Sequence, residues 1–168
     1  VDLPIVHLPD WETLPYDSFS PHEDITSERL KALSQLNDLH RGLLILPIQT
    51  LAHRLPPREH LDGQRFVLTT GDTFDLHTER RRLEASGYHA VDTVHEHGEF
   101  AVRGAILDVF PMGSQQPLRI ELFDTEIESL RAFDPDTQRT ITKVDSVTLL
   151  PAREIPLTET GITTFRNH

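Results

Sequence analysis

Arg103, Arg119 and Phe123 are the residues whose types and spacing point most directly to chemistry. Over residues 98–133, GEFAVRGAILDVFPMGSQQPLRIELFDTEIESLRAF, apolar and polar residues alternate with period two, the pattern of neighbouring antiparallel strands. Leu118, Ile120 and Leu122 share one side of such a strand, which leaves Arg119, Glu121 and Phe123 on the other. Phe100 and Val102 likewise oppose Ala101 and Arg103. The alternation therefore predicts an outer sheet face carrying Arg103, Arg119 and Phe123. Guanidinium groups pair bidentately with carboxylates and large aromatics anchor interfaces, so this combination suits docking to another protein. The plainer reading is an ordinary outer face, with Arg119 paired to Glu121 or a cross-strand acid and Phe123 tucked under a loop. The residue pattern alone leaves both open.

Other chemistries find less support. A phosphate-binding loop needs Gly, four residues, then Gly-Lys-Ser or Gly-Lys-Thr, and none of the eight glycines precedes a lysine. An ATPase site of that type is therefore not expected, and no cofactor is expected either. Ten histidines invite a metal hypothesis at His95-Glu96-His97, but no third ligand is near in sequence and Gly98 marks a turn. A solvated turn without metal is predicted there. Among the carboxylates of the segment, Asp108, Glu121, Asp124 and Glu126, Asp124 reads as a hairpin-turn former and Glu121 as a cross-strand partner for arginine. With no Gly-x-Ser-x-Gly elbow and no paired nucleophile and base, no catalytic centre is expected.

The elements that must position these residues can be taken in order. Residues 3–8 form a short strand, and residues 9–16 an ordered loop. Ser20-Pro21-His22-Glu23 has the form of a capping box, opening a helix with Ile25, Leu30, Leu33 and Leu36 inward and an end near residues 37–40. Residues 42–46 are a continuous apolar run, predicted to be a strand buried on both faces. Pro47 then opens a second helix with Ile48, Leu51, Ala52 and Leu55 on one stripe. The polar, proline-rich residues 56–64 mark a domain boundary. A strand at 66–69 follows, then a helix capped by Asp72 or Thr73, packed through Leu76 and Leu83 and ended by a left-handed Gly87. Strands are predicted at 90–94, 99–103, 106–110, 118–123, 126–133 and, with a break, 139–150. The fold class is an α/β fragment (1–63), then an α+β domain (64–152) with a mainly antiparallel sheet, one main helix and an open sheet face. A polar linker or return segment closes the chain (153–168).

Sixteen basic against 27 acidic residues give a formal net charge of −11 over 168 residues. Such a balance argues against general binding of nucleic acid, whose affinity comes mainly from Lys and Arg neutralising phosphates, though a local basic patch is compatible with it. The absence of cysteine excludes disulfides and thiolate sites and fits a reducing compartment. The longest apolar run, residues 43–47, is far too short to span a bilayer, and no signal sequence opens the chain. A cytoplasmic fragment is expected, the start at Val1 suggesting a piece of something longer.

The stretches WETLPYDSFSPH at residues 11–22, 98–111, 119–134, and LLPA at 149–152 carry a family resemblance. Over about residues 10–156 the chain resembles the amino-terminal, UvrB-like module of the bacterial transcription-repair coupling factor (Mfd) family. The resemblance implies a degenerate RecA-like nucleotide fold like UvrB domain 1a, lacking its own amino-terminal part, then a domain like UvrB domain 2. In the family that second domain binds UvrA, the damage-recognition protein, linking stalled RNA polymerase to nucleotide excision repair. The UvrA-contacting arginines and phenylalanine of the family fall on Arg103, Arg119 and Phe123. Ala90 departs from related UvrB sequences, which carry a further basic contact there. The resemblance also implies that a carboxy-terminal domain holds this face in the intact protein. The motor, DNA-contacting and polymerase-binding domains lie outside the chain, so no ATP hydrolysis or translocation is expected of it. The corresponding region of UvrB itself and a DNA-contacting accessory module are the competing assignments.

Overall fold

A computed structural model of the chain describes residues 3–13, 18, 20–155 and 163. Strands β1 (Ile5–His7) and β2 (Leu43–Ile45) pair in parallel, Ile5 opposite Leu43, with helix α1 (Glu23–Asp38) in the crossover between them. Leu30 and Leu33 are buried and Leu36 packs against the same core, as the three-residue spacing requires. The cap differs from expectation. His22 has the extended backbone of an N-cap and its Nδ1 accepts the Asp24 N–H at 3.3 Å, while Ser20 is exposed.

Two burial expectations fail in this first part. Strand β2 is not buried on both faces: Leu43, Leu44 and Ile45 are 50%, 42% and 49% exposed, because the described residues place only a two-stranded sheet here. Helix α2 (Ile48–Leu51) is a single turn, too short to carry the expected stripe, and Ile48 and Leu51 are exposed. Its inward residue is Thr50, whose hydroxyl donates to Asp10 Oδ1 at 2.9 Å. The polar stretch expected to be a boundary contains a helix, α3 (Arg58–Gln64), which buries Leu61. It is tied to α1, Asn37 Nδ2 donating to Asp62 Oδ1 at 3.1 Å.

Beyond α3, strand β3 (Phe66–Thr69) pairs antiparallel with β10 (Ser146–Leu149). Helix α4 (Leu76–Ala85) starts later than predicted. Its cap is Asp75, which accepts the Thr78 N–H at 2.8 Å, whereas Asp72 accepts the Thr69 N–H at 2.7 Å and closes a turn. Gly87, at φ +97°, ends the helix in the left-handed conformation expected of it. A six-stranded sheet follows in the order β4 (His89–Ala90), β5 (Glu99–Arg103), β6 (Ile106–Val109), β7 (Leu118–Phe123), β8 (Glu126–Phe133) and β9 (Thr140–Val144). Neighbours are antiparallel except β4 and β5, which run parallel. The inner face, with Phe100, Leu107, Ile120 and Leu130, packs with Leu83 of α4 and Leu30 of α1 into one core. The outer face is not wholly open as expected. Residues 91–97 lie over one end of it, where Val94, Ala101, Phe110 and Phe133 form a second buried cluster. No helix among the described residues is long and apolar enough to cross a membrane.

The segment after β10 is anchored to α1 through Glu154. Arg29 on α1 is fully buried and Glu154 is 6% exposed. Arg29 donates from Nε to Glu154 Oε2 at 2.8 Å and from Nη2 to Oε1 at 2.7 Å, and also to the carbonyl of Pro9. Trp11 completes the arrangement: its indole N–H donates to Glu154 Oε2 at 3.0 Å, and its ring lies 4.6 Å from the guanidinium carbon. Removing one member of a buried ion pair leaves a charge uncompensated, so Glu154→Ala should lower the unfolding free energy by about 3 kcal/mol. Urea denaturation measures this, and an unchanged midpoint would show that the pair contributes no stability.

Candidate docking face

Strand register brings the candidate residues together. Across the outer face one row runs Ala101, Asp108, Arg119, Arg131 and Lys143, each opposite the next on β5 to β9. A second row holds Arg103, Ile106, Glu121 and Ser129, and Phe123 lies opposite Glu126 in a third. Arg103, Arg119 and Phe123 therefore share one face, as the period-two alternation requires. Phe123 stands four residues along β7 from Arg119, about 13 Å away at strand rise.

The arginines meet through a carboxylate that sequence reasoning weighed only as a catalytic candidate. Asp108 is 1% exposed. Its Oδ1 accepts from Arg119 Nε at 2.7 Å and its Oδ2 from Arg119 Nη2 at 2.9 Å, a side-on bidentate pair, while Arg103 Nη2 also donates to Oδ2. Arg119 Nη1 reaches the Gln138 carbonyl at 3.4 Å, and the guanidinium lies 4.9 Å from the centre of the Phe133 ring. The hydrogen bonds that Arg119 donates to Asp108 hold its guanidinium above the ordinary range, outweighing the opposite effect of burial. Gln138 is itself fixed in left-handed backbone at φ +60°, its amide donating to Val94 O at 3.0 Å.

The three candidates differ in access. The Arg119 side chain is 17% exposed, that of Arg103 49%, and Phe123 is 74% exposed. Of the two readings open from sequence, Arg119 does pair with a cross-strand acid, but that acid is Asp108 and not Glu121. Phe123 is not tucked under a loop. Glu121 instead accepts from Ser129 Oγ and lies 3.5 Å from Arg131 Nε. The sequence signal for Asp108 was an acid in the otherwise apolar strand ILDV, which alternation places beside the arginines. Arg131 and Lys143 are outer-face cations that the sequence analysis passed over.

The turn His95-Glu96-His97 is more structured than expected. Glu99 caps it, accepting the His95 and Glu96 N–H groups at 2.7 and 2.9 Å. The His97 side chain is only 14% exposed; Nδ1 lies 2.7 Å from Asp24 Oδ1, Nε2 lies 2.8 Å from Ser114 O, and the ring packs 4.0 Å from Phe110. No group of three metal-ligating side chains occurs among the described residues.

A family model described as the UvrB interaction domain matches residues 66–155, more than half of the chain and the whole of the outer face. The chain belongs to the UvrB interaction domain family. Similarity also extends beyond that domain. The chain is 52% identical to a transcription-repair-coupling factor of Haemophilus influenzae over 159 residues, 95% of the chain and 14% of that protein. It is 50% identical to the Escherichia coli factor over 166 residues, 99% of the chain and 14% of that protein. The Myxococcus xanthus factor is 39% identical over 156 residues, 92% of the chain and 13% of that protein. The chain thus spans about one seventh of the length of these relatives.

The unequal burial within this UvrB interaction domain predicts unequal stability effects. Arg119→Ala leaves the buried Asp108 short of two hydrogen bonds and should destabilise the chain by about 2 kcal/mol. Phe123→Ala removes a solvated ring and should stay within about 0.5 kcal/mol of the parent. Thermal denaturation compares the two, and equal shifts would contradict the assigned roles.

Proposed function

We propose that the chain is a non-catalytic recruiting module of a transcription-repair coupling factor, whose outer sheet face binds UvrA and so links stalled RNA polymerase to nucleotide excision repair. The observation that carries this reading is a solvated aromatic ring on the same outer face of the sheet as two arginines pinned by one carboxylate, within a UvrB interaction domain. Phe123 would fill an apolar pocket of the partner, Arg103 would meet a carboxylate directly, and Arg119 would act largely from within the face. Similarity to coupling factors along nearly the whole chain favours them over UvrB as the parent protein.

The domain division proposed with this reading is 1–63, 64–152 and 153–168. The start of the family match at Phe66 supports the first boundary, and the parallel β1 and β2 joined through α1 support a degenerate RecA-like character for the first unit. RNA polymerase and DNA would be engaged by parts of the coupling factor outside the chain, in the cytoplasm. A carboxy-terminal domain of the intact factor would cover the face until recruitment is needed. On that account the isolated chain should bind UvrA more tightly than the intact factor does without nucleotide, and equal affinities in the two titrations would remove the masking.

Titration of purified UvrA against the chain tests the main reading. Arg103→Ala and Phe123→Ala should each weaken binding by about tenfold or more, the range of central interface anchors. Undiminished binding by both variants, folded as the parent is, would sink the assignment. DNA binding with a steep salt dependence would favour the accessory DNA-contacting role instead.

A further inference from the structure

We propose that Asp108 is the positioning residue of the docking face, fixing Arg103 and Arg119 in the geometry a partner meets. This rests on the docking reading above and names how that face is organised. The carboxylate sits in the middle of β6, flanked by fully buried Leu107 and Val109, and is 1% exposed. Three N–H groups converge on its two oxygens, two from Arg119 and one from Arg103. Among the described residues the Arg103 guanidinium makes its hydrogen bond to Asp108 alone, and with the side chain 49% exposed its remaining donors are open to an acidic partner group. An arginine otherwise samples many rotamers, and immobilising each on binding weakens affinity by roughly two- to tenfold. Asp108 removes that cost in advance for both side chains.

The proposal has a sign that a purely electrostatic account does not share. One carboxylate between two guanidinium groups lowers the positive charge of the face. If charge alone mattered, neutralising Asp108 would strengthen binding to an acidic partner site. If position matters, it weakens binding although the face becomes more positive. Asp108→Asn keeps the shape and one acceptor oxygen while removing the charge.

The test is titration of UvrA with the parent chain, F123A and D108N, together with proton–nitrogen correlation spectra of the arginine Nε–H groups. The parent spectrum should show Arg119 Nε–H shifted downfield and slow to exchange with water. D108N should lose that signature and bind about five- to tenfold more weakly, the loss expected of released side chains. Unchanged or tighter binding by folded D108N, where F123A loses binding, overturns the positioning role and leaves the docking face intact. Full binding by F123A and by Arg103→Ala overturns the docking reading itself. Should D108N fail to fold, Arg119→Lys serves in its place, since it keeps the charge but cannot make the bidentate pair. The same five- to tenfold weakening is then expected, and full affinity would overturn the proposal.

Discussion

The buried pair of Arg29 and Glu154 is the constraint on which the rest of the molecule depends. Two charges removed from water are tolerable only if nearly every donor and acceptor is satisfied. Here Glu154 accepts from both Arg29 and Trp11, and Arg29 also reaches Pro9 O beneath the indole ring. Three distant stretches of chain are therefore obliged to meet at one point: the loop after β1, helix α1 and the segment after β10. With α1 so fixed, its polar face can serve as a second set of partners for the sheet. Ser27 Oγ accepts the Gly113 N–H at 2.8 Å, and Asp24 meets His97. Tyr88 donates its buried hydroxyl to Leu150 O at 2.7 Å, holding the end of β10 over the same core.

That framework determines which part of the outer sheet face is available. His97 anchors one end of the loop at 91–97 against Phe110, and Gln138 fastens its Val94 carbonyl from the far side. The loop covers the end of the sheet where Ala101, Phe110 and Phe133 point outward, and Arg119 lies at its margin, over Phe133. Beyond that margin the face is uncovered by described residues, which is where Phe123 and the head of Arg103 stand. The proposed docking face needs little reorganisation, because its charged groups are already held by the sheet that carries them.

Period two over residues 98–133 was enough to separate Leu118, Ile120 and Leu122 from Arg119, Glu121 and Phe123, since alternation is a geometric property of any extended chain. It was not enough to identify Asp108 as the group joining the arginines. An acid at mid-strand reads alike whether it is solvated or buried among donors, and the difference lies in strand register across β5, β6 and β7. The cover provided by residues 91–97 was hidden for the same reason: it depends on Gln138 and on Asp24, the partner of His97, both far away in sequence. Apolar composition misled in the opposite direction at β2 and α2. Leu43 to Ile45 and Ile48 report a tendency toward burial, while the described residues leave them exposed, and the inward position falls to Thr50 through its bond to Asp10. The cap of α4 moved to Asp75 because Asp72 was already committed to the Thr69 turn, a competition that local spacing cannot rank.

Charge bears on the proposed partner class. The chain as a whole carries −11, yet the outer face gathers Arg103, Arg119, Arg131 and Lys143 against only Asp108 and Glu121 in its two central rows. At physiological ionic strength charges are screened beyond about 8 Å, so at a distance an anionic polymer meets no strong attraction and close at hand it meets a small cationic island. A surface that gripped nucleic acid would need several unpaired cations spread along a phosphate track. Here the Arg119 guanidinium is largely spent on Asp108, and the most exposed element of the face is an aromatic ring. A few directed charges and one apolar anchor spread over a single face match a folded protein surface that offers a carboxylate and a separate pocket, and match a phosphate backbone poorly.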